Sequence, residues 1–232
     1  MSGPIRQLPL PLPPPVSLAG EDFLVAEPNR LAVQRLAAWP AWRTPVLVLS
    51  GPTGCGKTHL AHVFLRRSHG VLVDHQLLRL ADAVDLAAGA SVLIVDDADR
   101  AARAGLERPL LHLHNAIVER RGHLLLIGEA PPAHWPVALP DLRSRLLAAD
   151  AVGIGQPDDG LIAAVLVKLF ADRLLKVDAE VIGYAVPRIE RSFAAACRLV
   201  ADLAAAAAGS RRRRITVPLV RTVLRSPPPQ EP

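Results

Sequence analysis

The octapeptide Gly51-Pro52-Thr53-Gly54-Cys55-Gly56-Lys57-Thr58 constrains the fold more than any other stretch of this chain. It satisfies G-x-x-x-x-G-K-[ST] at each fixed position. Such a loop works where a buried strand ends and a helix begins, and the flanks supply both. Residues 45–50 form an apolar run of buried-strand length. After the loop, Leu60, Phe64 and Leu65 recur at helical spacing on one side.

A polyphosphate carries closely spaced negative charges, so its site needs many donors and little bulk. Gly51, Gly54 and Gly56 let the backbone curl and turn its N–H groups toward such oxygens, with Pro52, Thr53 and Cys55 completing the loop. The following helix adds its positive dipole end and its unpaired N–H groups. Lys57 brings a point charge near the β and γ phosphates, and Thr58 offers a hydroxyl to Mg²⁺. A second acidic element is expected to hold the metal. Val92-Leu93-Ile94-Val95-Asp96-Asp97 reads as a central parallel strand with two carboxylates at its C-terminal end, where ligands bind in open α/β sheets. Asp96 is the expected Mg²⁺ partner, partly through water, and Asp97 is placed to orient an attacking water.

Residues 1–20 are proline-rich without periodicity and read as an extended tail. From 21 to 155, strand patterns at 45–50, 70–74, 91–96, 123–127 and 151–154 alternate with helical ones at 29–38, 57–67, 76–81, 106–121 and 139–147. This alternation predicts an α/β core with a central parallel five-stranded sheet covered on both faces. From 156 to 226 the strand signal stops. Asp158 and Asp159 are N-cap candidates for a helix reaching about residue 175, and Asp178 opens another. An alanine-rich helix at 190–208 is stopped by Gly209, Thr216 caps a short last one, and 227–232 read as a disordered tail. An α/β core followed by a small helical lid resembles an AAA+ P-loop module.

The net charge of +5 is compatible with an anionic ligand and does not identify one. Cys55 and Cys197 give no disulfide framework and read as reduced thiols. Prolines interrupt any secretory h-region and no charge-free apolar stretch reaches 18 residues, so a cytoplasmic location without membrane contact is expected. His59 with His62, and His112 with His114, lack the partners and spacing of a zinc motif.

Three groups of residues remain. Leu139-Pro140-Asp141-Leu142-Arg143-Ser144-Arg145 reads as a short helix before the last strand. It puts Arg145 at a module edge, able to reach the γ-phosphate of a neighbouring subunit, so homo-oligomerisation is one partner expectation. Arg188 and Arg191 are expected to begin the long lid helix, where one of them would touch bound nucleotide; Arg188 is the preferred residue. Arg211-Arg212-Arg213-Arg214 reads as a solvated loop or as a contact for DNA or an acidic protein surface, with any DNA contact indirect or weak. The tail holds Gln7-Leu8-Pro9-Leu10-Pro11-Leu12. As a peptide ligand, Gln7 makes directional hydrogen bonds, Leu8, Leu10 and Leu12 fill apolar pockets, and Pro9 and Pro11 reduce the entropy lost on docking.

This hexapeptide resembles the Q-L-x-L-P-L motif by which bacterial proteins bind the replicative sliding clamp, the β subunit of DNA polymerase III. Together with the AAA+ pattern it gives the chain a resemblance to the Hda family, the regulatory inactivators of the replication initiator DnaA. The resemblance runs from Gln7 to about Leu224. It takes in Phe23 and Asn29, Asp96-Asp97, Pro131-Pro132, the segment leading to Arg145, and Arg188-Ile189-Glu190-Arg191-Ser192-Phe193. It implies an adenine nucleotide, ADP or ATP, with the protein usually acting in its ADP form. It also implies docking on the DNA-loaded clamp and donation of Arg145 to ATP-bound DnaA, whose hydrolysis then represses re-initiation of replication. The main role would be that of an activator. Intrinsic ATPase activity is expected to be weak, because Gly128 stands where many AAA+ ATPases carry an Asn, Ser or Thr. The other reading is a DnaA-like ATPase of initiation or helicase loading. Against an initiator, the roughly eight residues after Leu224 would not form a helix-turn-helix domain.

Overall fold

A computed structural model of the chain describes residues 24–207 and 214–225. Five strands, β1 (Val46–Ser50), β2 (Val71–Val73), β3 (Val92–Val95), β4 (His123–Gly128) and β5 (Asp150–Gly153), form one sheet in the order β2-β3-β4-β1-β5. All four pairings are parallel. Side chains of successive strand residues point to opposite faces. Val46, Val48, Leu93, Val95, Leu124 and Leu126 therefore pack on one side, and Leu47, Leu49, Val92, Ile94, Leu125 and Ile127 on the other. Both faces are buried, which is why these strands read as unbroken apolar runs. Each fully buried Val, Leu or Ile contributes about 1.5–3 kcal/mol.

Helices α1 (Arg30–Ala37) and α2 (Lys57–Ser68) cover the second face. The first is covered by α3 (His75–Leu80), α4 (Ala83–Gly89), α5 (Ala98–Arg103), α6 (Glu107–Glu119) and α7 (Pro140–Ala148). The last four helices, α8 (Asp159–Asp172), α9 (Ala179–Ala185), α10 (Phe193–Ala207) and α11 (Val217–Arg225), bury their own cluster around Leu166, Phe170, Val200 and Leu203. Among the described residues, no helix is long and apolar enough to cross a membrane.

The sheet has the predicted number and direction of strands, with ends within two residues of those expected. Two helices were not legible. α4 and α5 are 7 and 6 residues long, rich in alanine and aspartate, and too short to display an apolar stripe. The α8 N-terminus forms as expected, with Asp158 accepting from the Leu161 N–H at 2.7 Å. The long lid helix departs from expectation. It starts at Phe193, capped by Ser192, whose Oγ accepts the Ala195 N–H at 3.1 Å. Arg188 ends a 3-10 turn and Arg191 sits in the bend after it, so neither begins the helix. Asp178 does not cap α9 with its side chain; its carboxylate accepts from Arg214 at 2.6 Å instead. The clamp-motif residues Gln7, Leu8, Leu10, Pro11 and Leu12 lie outside the described residues, as do Phe23, Arg211–213 and the final seven positions.

Candidate phosphate-binding site

Parallel pairing brings the C-terminal ends of β3, β4 and β1 to one edge of the sheet. Ser50 is in register with Gly128, and Val95 with Leu126. The strand ending in Gly128 thus lies between the loop strand and the acidic strand. At this edge the loop leaves β1, with the Gly51 N–H donating to the Gly128 carbonyl at 3.3 Å. Gly54 and Gly56 have φ of 77° and 98°, the left-handed region that glycine occupies at least cost. Gly56 is also the N-cap of α2 and provides no side-chain acceptor, so the first N–H groups of the helix face the loop.

Within the loop Lys57 is only 8% exposed. Its ammonium donates to the Gly51 and Pro52 carbonyls at 2.6 and 2.9 Å. A buried ammonium held only by neutral oxygens lacks the counter-charge that normally accompanies burial. Thr58 Oγ1 donates to Asp96 Oδ2 at 2.8 Å, and Asp96 Oδ1 accepts the Asp97 N–H at 2.9 Å. The structure therefore brings Lys57, Thr58 and Asp96 together. Asp97 is oriented differently. Its φ is 51°, and its carboxylate pairs with Arg100 at 3.1 Å. Cys55 is buried beside the loop; desolvation raises its thiol pKa, against a smaller lowering by Lys57.

The lid segment closes over the same loop. The Phe193 N–H donates to the Gly54 carbonyl at 3.0 Å. A Cβ on Gly54 would meet Ser192 Cβ at 2.7 Å, and one on Gly56 would meet the Phe193 ring at 2.6 Å. A cavity of about 310 Å³ opens beside this contact, lined by Leu24, His59, Val165, Leu169, Phe193 and Cys197 among others. A larger concavity of about 500 Å³ lies between the α3–α4 region and α6 and contains none of the loop residues. Of the two lid arginines, Arg191 directly precedes the Ser192 that touches Gly54, and Asp159 holds its guanidinium through bonds of 2.8 and 3.2 Å. Arg188, the residue preferred from sequence, stacks over the Tyr184 ring at 3.9 Å and donates to the Tyr184 carbonyl. Buried Asn29 ties the segment before α1 into a turn, accepting the Ala26 N–H and donating to the Leu24 carbonyl, each at 2.9 Å.

Arg145 is exposed on the last turn of α7, whose Leu142 and Leu146 anchor it to the core. Its guanidinium forms no hydrogen bond or ion pair among the described residues. It lies near buried His114, whose pKa is lowered mainly by desolvation and further by the Arg145 charge. Glu107 fixes the start of α7 by accepting the Ala138 and Leu139 N–H groups at 3.0 and 2.6 Å.

Sequence reading missed the contacts around the end of β4. Buried Asp99 accepts the Glu129 N–H at 2.9 Å, and the Glu129 carboxylate accepts from Thr53 Oγ1 in the loop at 2.8 Å. The third acid of Asp96-Asp97-Ala98-Asp99 was the available signal. The site also explains Gly128: a Cβ there would meet Trp135 at 2.8 Å and the Asp99 carboxyl carbon at 3.1 Å. Trp135 is fixed by its own bond to the Ala130 carbonyl at 2.7 Å. Gly128→Asn is therefore expected to destabilise the protein by about 1–3 kcal/mol through overpacking. Urea unfolding should show this as a lower midpoint with an unchanged slope.

No family model matches the chain, and no curated protein sequence does. Solved structures do match in fold. Domain III of the Thermotoga maritima replication initiation protein DnaA superposes with a TM-score of 0.75 at 16% identity, covering 93% of this chain and 98% of that one. Replication initiator DnaA bound to AMPPCP and single-stranded DNA gives 0.67 at 17%, covering 78% of this chain. The present chain spans only 62% of that DnaA chain. The Holliday junction branch migration motor RuvB of Thermotoga maritima gives 0.63 at 18%, covering 84% of this chain and 66% of that one. The fold is thus the AAA+ α/β fold of DnaA and RuvB, with its five-stranded parallel sheet.

Proposed function

We propose that this protein binds an adenine nucleotide, is tethered to the DNA polymerase III sliding clamp, and supplies Arg145 to stimulate hydrolysis of ATP held by DnaA. It would thereby restrain re-initiation of replication as a member of the Hda family. The observation that carries the nucleotide half is the buried Lys57 ammonium, whose only partners are loop carbonyls. An incoming phosphate satisfies it. The residues present fit a nucleotide. Loop N–H groups, Lys57 and Thr58 would hold the phosphates, and the cavity beside Phe193 would take the base. Thr58 and Asp96 would hold Mg²⁺. Because no group of three acidic, His or Cys side chains clusters among the described residues, the metal would take its other ligands from water and phosphate. When bound, Mg²⁺ neutralises phosphate charge. DnaA bound to AMPPCP shares this fold, which supports the choice of an adenine nucleotide. Arg191 is the better-placed lid contact, since it adjoins the Ser192–Gly54 packing and Arg188 is committed to Tyr184.

The partner half rests on Arg145, an exposed guanidinium without a carboxylate partner on a helix anchored at both ends, together with the Gln7–Leu12 peptide. A clamp offers repeated equivalent sites, so a weak peptide gains through multivalency. The second reading, a DnaA-like ATPase of initiation or helicase loading, is favoured by the 98% coverage of a DnaA domain. The two separate on the tail. Replacing Gln7 and Leu8 with alanine is expected to weaken binding to purified clamp by at least about tenfold while leaving nucleotide affinity unchanged. Unaltered clamp binding would remove the tether and favour the second reading.

A further inference from the structure

We propose that Glu129 is the residue by which this loop distinguishes a nucleoside diphosphate from a triphosphate. The inference rests on the nucleotide reading above. Glu129 follows Gly128, whose carbonyl accepts the Gly51 N–H, so the end of β4 is stitched to the start of the loop. The backbone of Glu129 is held by Asp99, a carboxylate only 4% exposed. Its side chain reaches over the loop to Thr53 at 2.8 Å. No cation pairs with it among the described residues. Asp97 is turned toward Arg100, and Asp96 sits at the other end of the loop beside Thr58. Glu129 is therefore the carboxylate over the Thr53 side.

The direction of discrimination follows from where a nucleotide's two ends lie. The cavity for the base adjoins His59 and Phe193, beyond Gly56. From there a phosphate chain runs back along the loop toward Pro52 and Thr53. A diphosphate stops short of that end, and the third phosphoryl group meets Glu129. Like charges a few ångströms apart, at the effective dielectric of a protein surface, cost about tenfold in affinity. Gly128 cannot carry a compensating donor, because Trp135 and Asp99 fill the space of its side chain.

Glu129→Gln keeps the carbonyl that accepts from Thr53 and removes the charge. Calorimetric titration of the full chain with Mg-ADP and with Mg-AMPPCP, at low and high salt, tests the inference. The unaltered protein is expected to bind ADP about tenfold more tightly than AMPPCP, with the preference shrinking as salt rises. E129Q should bring the two affinities within about twofold by tightening AMPPCP alone, and Glu129→Lys should reverse the preference. An ADP-to-AMPPCP ratio unmoved by E129Q, or weaker AMPPCP binding in that variant, would overturn the proposal and leave the nucleotide site standing. If the unaltered protein binds neither compound, the nucleotide reading falls and this inference falls with it.

Discussion

Arg145→Ala is expected to reduce stimulation of DnaA-bound ATP hydrolysis by at least about 10³-fold, the scale on which a supplied arginine acts in phosphoryl transfer. The proposal makes Arg145 an external cation, so the change should leave this protein's own nucleotide affinity and clamp binding intact. The structure supports a clean experiment. The side chain is exposed and unpaired, while Leu142 and Leu146 anchor α7 and Glu107 holds its first turn. Truncation should therefore change stability by no more than about 0.5 kcal/mol. Arg145→Lys should recover little, because an ammonium lacks the planar fork that spans two phosphate oxygens. A readout without DnaA also exists. Loss of the Arg145 charge should raise the depressed pKa of His114, which an NMR titration can follow. Stimulation measured by phosphate release from ATP-DnaA on a DNA-loaded clamp checks the main effect, and undiminished stimulation by the alanine variant would remove Arg145 from its assigned role.

Lys57→Ala is expected to weaken ADP binding by at least about 100-fold. The reason lies in the loop before ligand arrives. The ammonium is buried against two carbonyls and has no anion beside it. Its desolvation is offset only in part until phosphate oxygens reach it, so much of its favourable electrostatics is reserved for the bound state. Nucleotide-free K57A should accordingly unfold at a temperature close to that of the unaltered protein. The contrast should appear with ligand. At 100 times the dissociation constant, ADP stabilises a single-site protein by about 2.7 kcal/mol, and the variant should show almost none of this at the same concentration. Thermal melts with and without Mg-ADP measure the difference. Equal stabilisation of both proteins would mean that the phosphates do not sit at Lys57.

How legible each part was depended on the range of the interaction that fixes it. The loop was fully readable because glycine, lysine and threonine act through local backbone geometry and the adjoining helix end. β1, β3 and β4 were readable because burial on both faces demands unbroken runs such as Leu124 to Ile127. α5 was hidden, since Ala98–Arg103 is a six-residue helix whose stability comes from packing on the core. The lid arginines were misplaced because the helix start was judged by composition, whereas Ser192 sets it through its cap and through the packing of Ser192 and Phe193 on Gly54 and Gly56.

Sequence by itself determined the AAA+ class of fold, the parallel sheet, the phosphate loop and the identity of Asp96, since each is encoded in contiguous residues whose chemistry and periodicity need no distant partner. Only the tertiary structure decided that Asp97 faces Arg100, that Arg191 adjoins the loop while Arg188 stacks on Tyr184, and that Glu129 reaches Thr53 across 76 positions. Those choices depend on which strand ends become neighbours and how the last helices settle against the core. Strand order and packing are set by the burial of the whole chain, and no local pattern contains them.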